Sequence, residues 1–407
     1  MSVVSDVRKA VALVQKAARM RLMHRSVVRD LKARGALERS RFTVAVYFAD
    51  SEVNMYQMRQ WYAPLKEIAR ERPVVVIARN PGGARALIDD GELPVTFQPE
   101  VRGIEKFLEH QDIRIVLYVN QNARNFQMFR YGRRWHVYIN HGESDKMYMT
   151  TNQFKAYDYA LVAGAAARER LSRTLWAYDL DERTIEIGRP QADHYTGEPP
   201  YEPDGRTVVL YAPTWEGDRP AAHYGSIVSH GEKLVGALLA DDRFRLVYRP
   251  HPRSGVLDRA FGDANRRIIR AIAEANKNDA TAQHVFDDGP SLGWQLAGAD
   301  VAVTDISAMV YDRLAVGKPL LITRPADERA SIDEDGYLGA CEWLAAEDAA
   351  DIVTHVERVQ NDPETFQRLE TWSQRYFGDT STGAPTRRFR EAIERLMREW
   401  ETWNARS

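Results

Sequence analysis

The sequence contains a single cysteine, Cys341, and no apolar run near the roughly 18 residues needed to span a bilayer; residues 159–167 are typical of its longest runs. Cys341 cannot form an internal disulfide, and no His or Cys pair at metal-ligand spacing surrounds it. We therefore expect no membrane crossing, no structural metal and a reducing compartment. We also expect no secretory signal, because Lys16 interrupts the apolar stretch that follows Arg8 and Lys9.

Two common phosphate-binding fingerprints are missing as well. No G-x-x-x-x-G-K-[ST] motif occurs, and Gly82 and Gly83 after Pro81 do not complete a G-x-G-x-x-G. P-loop chemistry and a standard nicotinamide site are therefore disfavoured. The chain has 407 residues, of which 44% are hydrophobic. This composition is typical of a globular protein with two or three domains and excludes a disordered or collagen-like chain.

Positive charge is concentrated at the start of the sequence. The net charge is −2, yet residues 1–41 carry eleven Lys and Arg against three acidic residues, which gives +8 there and −10 elsewhere. Within residues 3–22 basic residues alternate with apolar ones at helical spacing: Val3, Val7, Val11, Val14, Ala18 and Leu22. The pattern predicts a basic amphipathic helix that either packs on the first domain or lies on anionic lipid. Nucleic acid is a weaker alternative, because aromatic residues are not interleaved with the basic ones.

After residue 42, short β-branched apolar runs alternate with helical stretches. This pattern predicts parallel strands covered by helices on both faces. The predicted strands are residues 43–48, 73–78, 114–119, 135–140, 159–162, 184–187, 207–212, 243–248, 284–286, 301–304 and 319–323. A Pro-rich stretch at residues 190–205 separates the first six from the last five and is interpreted as an interdomain linker.

The fold class that follows is α/β, with two Rossmann-like doubly wound domains facing a central cleft. The predicted units are the basic segment 1–41, a first domain 42–195, a second domain 205–346 and C-terminal helices 347–407. One face of the last helix, which is expected to pack back onto the domains, contains Phe389, Ile393, Leu396, Trp400 and Trp403.

Polar residues directly follow several predicted strands, where open parallel sheets bind their ligands. These candidates are His141, Gly142, Lys146, Arg189, Asp193, Thr214, Arg249, His251, Asp305, Ser307 and Asp312. Each one also has an ordinary structural explanation, such as a turn or a helix cap. Their shared position at strand ends of two domains is what favours a binding cleft.

The segment 304–312 is the most informative of these. A strand that runs into a helix at Ser307 and Ala308 would present backbone N–H groups and a positive dipole end to a phosphate. Asp312 lies just over one turn deeper, where it could accept hydrogen bonds from ribose hydroxyls. Arg249 and His251 would bring further donors to the same phosphates. Together these residues predict a bound nucleoside diphosphate in the second domain.

An ordered set of motifs resembles the CDP-glycerol glycerophosphotransferases that build teichoic acids and capsule polymers. The set spans about residues 135–390 and comprises His141-Gly142 with Lys146, Tyr157-Asp158, Gly188-Arg189-Pro190 with Asp193, Tyr211-Ala212-Pro213-Thr214, His251-Pro252, Asp300 through Asp305 with Ser307 and Asp312, Lys318-Pro319, and Gly378-Asp379 through Gly383. The resemblance implies a GT-B architecture with the donor in the C-terminal domain and metal-independent chemistry. It also implies that His141 is the general base and that His251 binds the donor pyrophosphate.

The sequence departs from the family pattern at two places. Asn140 precedes His141 where the family commonly has Trp, and Glu143-Ser144-Asp145-Lys146 replaces Thr-Pro-Leu-Lys. The family's Asp-Tyr-Ser-Ser reads Asp305-Ile306-Ser307-Ala308, so one phosphate-binding hydroxyl is missing. Backbone N–H groups at Ala308 would still bind phosphate.

The expected reaction is transfer of glycerol phosphate, or a related alditol phosphate, from CDP-glycerol or CDP-ribitol to a lipid-linked or polymeric acceptor, with release of CMP. No cofactor is expected. His141 and His251 are the expected catalytic residues, Gly142, Lys146 and Asp193 the expected acceptor-side residues, and Arg189, Thr214, Arg249, Asp305, Ser307, Ala308 and Asp312 the expected donor-binding residues. The expected location is the cytoplasmic face of the plasma membrane, with residues 1–41 on anionic lipid. The alternatives are a GT-B glycosyltransferase with a nucleotide-sugar donor and a non-catalytic binding protein of the same fold, and the oligomeric state stays open.

Overall fold

The computed structural model describes residues 3–142, 151–289 and 292–406, with side chains in the first helix described from Gln15 onward except for Lys16. The described residues form two sheets in which every strand pair is parallel. The first sheet contains β1 (Val44–Phe48), β2 (Val74–Ala78), β3 (Val95–Phe97), β4 (Ile115–Tyr118), β5 (Trp135–Tyr138), β6 (Tyr159–Val162) and β7 (Thr184–Glu186). The second contains β8 (Thr207–Ala212), β9 (Phe244–Tyr248), β10 (Val285–Phe286), β11 (Val301–Thr304), β12 (Leu320–Thr323) and β13 (Glu342–Leu344).

Helices cover both faces of each sheet. In chain order they are α1 (Val3–Ala33), α2 (Met55–Arg59), α3 (Tyr62–Ala69), α4 (Pro81–Asp90), α5 (Val101–Glu109), α6 (Ala165–Thr174), α7 (Leu180–Arg183), α8 (Glu232–Leu239), α9 (Arg259–Asn278), α10 (Trp294–Gly298), α11 (Ala308–Val316), α12 (Ile352–Asn361), α13 (Pro363–Phe377) and α14 (Ala384–Asn404). This arrangement confirms the predicted α/β fold with two Rossmann-like sheets. All eleven predicted strands are present, within one or two residues at their ends.

Two of the strands, β3 and β13, were not predicted from the sequence. Each has only three residues, a length at which hydrophobic periodicity is a weak signal; β7 and β10 are as short or shorter, and both were predicted. In β13 two of the three residues are only half-buried, because this strand lies at the edge of the second sheet. The segment forms a strand because it pairs with β12, and no local sequence pattern predicts that pairing.

Strand order places a switch point in each sheet. The order is β3-β2-β1-β4-β5-β6-β7 in the first sheet and β10-β9-β8-β11-β12-β13 in the second. The chain moves outward from β1 to β3 and returns to pair β4 with β1; β8 and β11 stand in the same relation. In such sheets the crevice beyond the carboxyl ends of the two strands at the switch point binds ligands. The fold therefore offers two crevices, one at β1/β4 and one at β8/β11.

The helix α1, about 46 Å long, differs in its packing along its length. Its C-terminal part packs on the first sheet: Val27 is fully buried, the His24 ring meets the edge of Phe97 at 5.2 Å, and Asp30 pairs with Arg85 of α4. Earlier in the helix, Leu22 is 65% exposed. No helix among the described residues has the length and apolar character to cross a membrane.

Among the C-terminal helices, α12 and α13 pack in the cores of the second half, and α14 returns to the first sheet. Helix α14 buries Phe389, Ile393 and Leu396 in the core beside β1 and β2, as the sequence predicts. Trp400 lies at the margin, where its Nε1 donates to Arg133 O at 2.8 Å. The prediction that Trp403 packs in the same way is wrong: it is 59% exposed, because the helix has run past the edge of the core.

The start of α14 is held by Asp193, which lies in the loop after β7. Its Oδ1 accepts from Gly383 N at 2.9 Å and its Oδ2 from Thr386 N at 2.8 Å. These backbone N–H groups have no partner within the helix, so a carboxylate here acts as an N-cap supplied from a distant part of the chain.

The substitution Asp193→Ala should lower the free energy of unfolding by about 1–2 kcal/mol, since it removes this cap. Urea unfolding measures the change. Asp89→Ala is the matched control, because Asp89 is 62% exposed and makes an i,i+4 ion pair with Arg85, worth about 0.5 kcal/mol or less. Equal losses in the two variants would contradict the capping role.

Candidate functional site

His141 lies in a turn whose conformation is set by the preceding residue, Asn140. Asn140 adopts a left-handed conformation with φ 57°, and its Oδ1 accepts from His141 N at 2.8 Å while its Nδ2 donates to Gly142 O at 2.5 Å. Its own carbonyl accepts from Trp61 Nε1 at 2.5 Å. Asn is among the few residues that adopt this conformation readily, so the departure from the family's Trp has a local structural reason.

The hydrogen bond of the His141 ring assigns its tautomer. Nδ1 lies 3.0 Å from Val119 O, and because a carbonyl can only accept, Nδ1 carries the proton. In the neutral ring Nε2 is then the basic nitrogen. Burial lowers the pKa of His141, and the nearby positive charge of Arg189 lowers it further. The ring is therefore held neutral and able to accept a proton, as the general-base prediction requires.

Arg189 joins the two halves of the molecule beside this turn. Its guanidinium forms an ion pair with Asp312 of α11, in which both side chains are nearly buried, at 7% and 9% exposure. It also donates to Gln60 Oε1 at 3.3 Å, and Tyr195 OH donates to Asp312 Oδ1 at 3.1 Å. A Cβ on Gly142 would lie 3.9 Å from Arg189 Nη1, so the His141 turn and the second half meet at this arginine.

The prediction that Asp312 accepts hydrogen bonds from ribose is corrected by this pairing. Its carboxylate faces Arg189 and Tyr195 of the first half and leaves little exposed surface for a ribose. The sequence placed Asp312 one turn into the helix but could not show which residue the other half would bring opposite it.

Asp305 is likewise a structural group and not a ligand contact. It is fully buried, its Oδ2 accepts from Thr214 N at 2.7 Å and from Ser226 N at 3.0 Å, and its Oδ1 accepts from Thr323 Oγ1 at 2.6 Å. Burial raises its pKa to about 6, although these donors favour the charged form. Asp305 thus fixes the loop at Thr214, so its predicted direct contact with the donor is wrong.

The start of α11 has the predicted geometry for an anion. Ser307 caps the helix by accepting from Met309 N at 3.3 Å, and Ala308 behind it is exposed. The exposed end lies at the β8/β11 crevice, where the first-turn N–H groups and the helix dipole favour negative charge.

His251 follows β9, the neighbour of β8, and has the opposite tautomer to His141. Its Nδ1 accepts from Arg253 N at 3.1 Å, so the neutral ring carries its proton on Nε2. Nε2–H is the form that donates to a phosphate oxygen. The ring lies 6.4 Å from that of Trp215, and the Arg253 guanidinium lies 3.8 Å from the Trp215 centroid.

Arg249, predicted to bind the donor phosphates, already has protein partners at the β8/β11 crevice. Its guanidinium pairs with Asp287 and donates to Gly289 O at 3.0 Å, which ties the end of β9 to the segment after β10. The sequence showed the arginine at a strand end, but Asp287 follows a neighbouring strand and their pairing is a tertiary contact.

Asp193, predicted on the acceptor side, caps α14 with both carboxylate oxygens and is corrected to a structural residue. Lys146, predicted beside it, lies outside the described residues. Gly142 lies where predicted, next to His141 and Arg189.

The sequence analysis missed several residues of these crevices. Glu216 holds the loop after His251, since its carboxylate accepts from Gly255 N at 3.0 Å, Leu257 N at 2.7 Å and Asp258 N at 3.0 Å. Asp50 and Asn120 follow β1 and β4, so the strand-end rule that found His141 would also have found them. Within the described residues no group of three His, Cys, Asp or Glu side chains is placed to hold a metal ion.

Comparisons with solved structures show the same architecture. The wall teichoic acid polymerase TagF is 14% identical, with a TM-score of 0.57 over 97% of this chain and 98% of the other. A putative UDP-N-acetylglucosamine 2-epimerase from Listeria monocytogenes is 14% identical, with a TM-score of 0.54 over 88% and 97%. A glycosyltransferase from Rickettsia africae is 11% identical, with a TM-score of 0.53 over 88% and 99%. At these identities the likeness shows the GT-B fold alone.

A family model gives the more specific result. No curated protein sequence matches the chain significantly. The model described as CDP-glycerol:poly(glycerophosphate) glycerophosphotransferase, however, matches residues 136–379, which is more than half of the chain and includes both His141 and His251. The chain therefore belongs to the CDP-glycerol glycerophosphotransferase family.

Proposed function

We propose that this protein transfers glycerol phosphate, or a related alditol phosphate, from a CDP-activated donor to a hydroxyl of a lipid-linked or polymeric acceptor and releases CMP. The observation that carries the proposal is the tautomer of His141, whose Nδ1–H is bound to Val119 O so that Nε2 is the base. The family match over residues 136–379 supports the donor class. A TagF structure determined after a CDPG soak is 13% identical to this chain.

The chemical step begins with proton transfer. His141 Nε2 takes the proton of the acceptor hydroxyl, and the oxygen attacks the β-phosphorus of the donor. The bond between that phosphorus and the bridging oxygen breaks, and CMP leaves with the bonding electrons. Positioning and charge stabilisation supply most of the catalysis in such transfers.

Three groups of this chain suit the phosphate charges. The start of α11 at Ser307 and Ala308 offers backbone N–H groups, His251 offers Nε2–H, and Arg189 lies between the two halves. A donor phosphate that approached Arg189 would compete with Asp312 for its guanidinium. The same donor would bring negative charge near His141, which favours uptake of the proton there.

The first part of α1 suits attachment to a membrane surface, which would bring the enzyme to a lipid-linked acceptor. Arg19, Arg21 and Arg25 are exposed, whereas the packing of the helix on the fold begins near His24. Anionic lipid attracts each cationic residue near the surface by about 1 kcal/mol.

A donor screen tests the reaction. Purified protein incubated with CDP-glycerol, CDP-ribitol or UDP-sugars and an acceptor extract should release CMP, as measured by chromatography. His141→Ala should slow this release by about 100- to 10,000-fold, because it removes the base. His110→Ala should not, since His110 is an exposed residue after α5 whose ring Nδ1 donates to Lys106 O, outside the proposed site. Release of UDP without CMP would overturn the proposal in favour of a glycosyltransferase.

The pH profile tests the electrostatics of His141. The base must be neutral, and its pKa lies below the ordinary 6.5, so kcat/KM should fall only as the pH drops below about 6.5. Arg189→Gln removes a charge that lowers this pKa and should move the acid limb to higher pH, besides lowering the rate. Lys66→Gln, which alters an exposed ion pair with Glu92, should leave the limb in place. If the acid limb of the pH profile did not move in Arg189→Gln, the assignment of His141 as the titrating base would be contradicted.

Deletion of residues 2–23 tests the membrane surface. It removes five basic residues and one acidic residue but keeps Val27 and Asp30, which pack on the fold. The shortened protein should remain in the supernatant after centrifugation with phosphatidylglycerol vesicles, while the full chain pellets. Phosphatidylcholine vesicles serve as the uncharged control. Equal pelleting of both proteins with anionic vesicles would refute the anchor.

A further inference from the structure

The β1/β4 crevice contains polar groups that the proposed donor site does not use. Asp50 follows β1 and Asn120 follows β4, while His141 follows β5, the other neighbour of β4. Carboxyl ends of adjacent parallel strands meet at one edge of a sheet, so these side chains share a crevice with the proposed base. The negative charge of Asp50 also acts on His141, where it raises the pKa against the larger effect of burial.

The Asp50 carboxylate is held by amide side chains. Its Oδ1 accepts from Asn54 Nδ2 at 2.8 Å, and its Oδ2 accepts from Asn120 Nδ2 at 2.7 Å and Asn122 Nδ2 at 2.9 Å. Asn120 Nδ2 also donates to Gln57 Oε1 at 2.6 Å. A carboxylate has about four lone-pair positions, so these described donors leave one on Oδ1. The group is only partly buried, which keeps that position within reach of a ligand hydroxyl.

An exposed aromatic ring completes the crevice. Tyr56 is 52% exposed and stands edge-on to His141, with ring centroids 5.9 Å apart and planes at 84°. Its hydroxyl accepts from Gln57 Nε2 at 3.1 Å, which holds the ring in place. A fixed ring of this kind offers apolar contact area to the C–H face of a sugar or polyol at little entropic cost.

The charge of the crevice distinguishes between hydroxyl-rich ligands and phosphates. Asp50 carries one negative charge, and Glu52 places a second at the start of α4, where a Cβ on Gly82 would collide with its Oε2. The Glu52 carboxylate therefore already offsets the positive end of the α4 helix dipole. A phosphate brought next to Asp50 would meet like charge, whereas an uncharged hydroxyl donates to the carboxylate.

We propose that the β1/β4 crevice binds the terminal unit of the acceptor as an uncharged polyhydroxyl group, a saccharide or polyol, with Asp50 and Tyr56 as its specificity-determining residues. The role as acceptor site rests on the proposed function, but the recognition of neutral polyhydroxyl ligands does not. The Asp50 carboxylate accepts a hydrogen bond from one hydroxyl of the ligand, and the Tyr56 ring packs against the C–H face of the ligand. In this position a neighbouring hydroxyl of the ligand lies next to His141 Nε2. An acceptor whose own terminal unit carries a phosphate next to Asp50 is disfavoured, whereas the donor phosphate approaches the attacking hydroxyl from the second half.

Binding without nucleotide tests the inference separately from the reaction. Ligand-observed NMR with a panel of methyl glycosides of neutral mono- and disaccharides should detect binding to the full chain. Asp50→Asn and Tyr56→Ala should each weaken this binding at least about tenfold, because they remove a charge-assisted hydrogen bond and a contact face. Trp176→Ala is the matched control: its ring is 85% exposed and follows α6, which leads back to the edge where strands begin. It should bind as the unaltered chain does.

The possible results distinguish a failure of the inference from a failure of the proposed reaction. Tyr56→Ala alters an exposed side chain and keeps the test valid if Asp50→Asn fails to fold. The inference is overturned if no glycoside binds, if Tyr56→Ala and a folded Asp50→Asn bind as well as Trp176→Ala, or if glycerol 3-phosphate displaces the glycoside at equal concentration. A failure of CMP release with glycoside binding intact would instead count against the proposed reaction alone.

Discussion

The ion pair between Arg189 and Asp312 is the contact on which the rest of the site depends. It joins the loop after β7 to helix α11, and both side chains are nearly buried. Two charges removed from water in this way are stable only as a pair, and removal of one partner would leave a buried charge at a cost of about 3–5 kcal/mol. The pair therefore sets how the halves meet. Through Arg189 it also influences the pKa of His141, so that interdomain geometry and base strength are linked.

Both crevices contain an aspartate in the same position, but the two aspartates have different roles. In each, an aspartate after a central strand accepts three hydrogen bonds: Asp305 in the second half and Asp50 in the first. Asp305 is fully buried, so it organises the loop around Thr214 and meets no ligand. Asp50 is partly exposed and retains capacity for one more donor. The difference in burial, and not in residue type, separates a structural carboxylate from one that can recognise a ligand.

Much of the fold could be predicted, because it depends on local patterns. Parallel strands buried on both faces are apolar throughout and short, and this pattern located eleven of the strands. β3 and β13, with three residues each, were missed, although β7 and β10, with three and two residues, were predicted. The predicted site was less complete. His141 and His251 lie at strand ends with tautomers suited to their proposed roles, while Asp193, Arg249, Asp305 and Asp312 proved to be engaged with other protein groups.

The sequence by itself determined the order of strands and helices, the concentration of positive charge before residue 41, and the polar residues that end each strand. These properties follow from residue spacing, which a linear pattern records. Only the tertiary structure decided which polar residue meets which partner. Arg189 and Asp312 are 123 positions apart, Asp193 and Gly383 190 positions apart, and their pairing depends on how the two sheets and α14 pack. Burial and hydrogen-bond partners set the charge, tautomer and exposure of a side chain, and these exist only once the chain has folded.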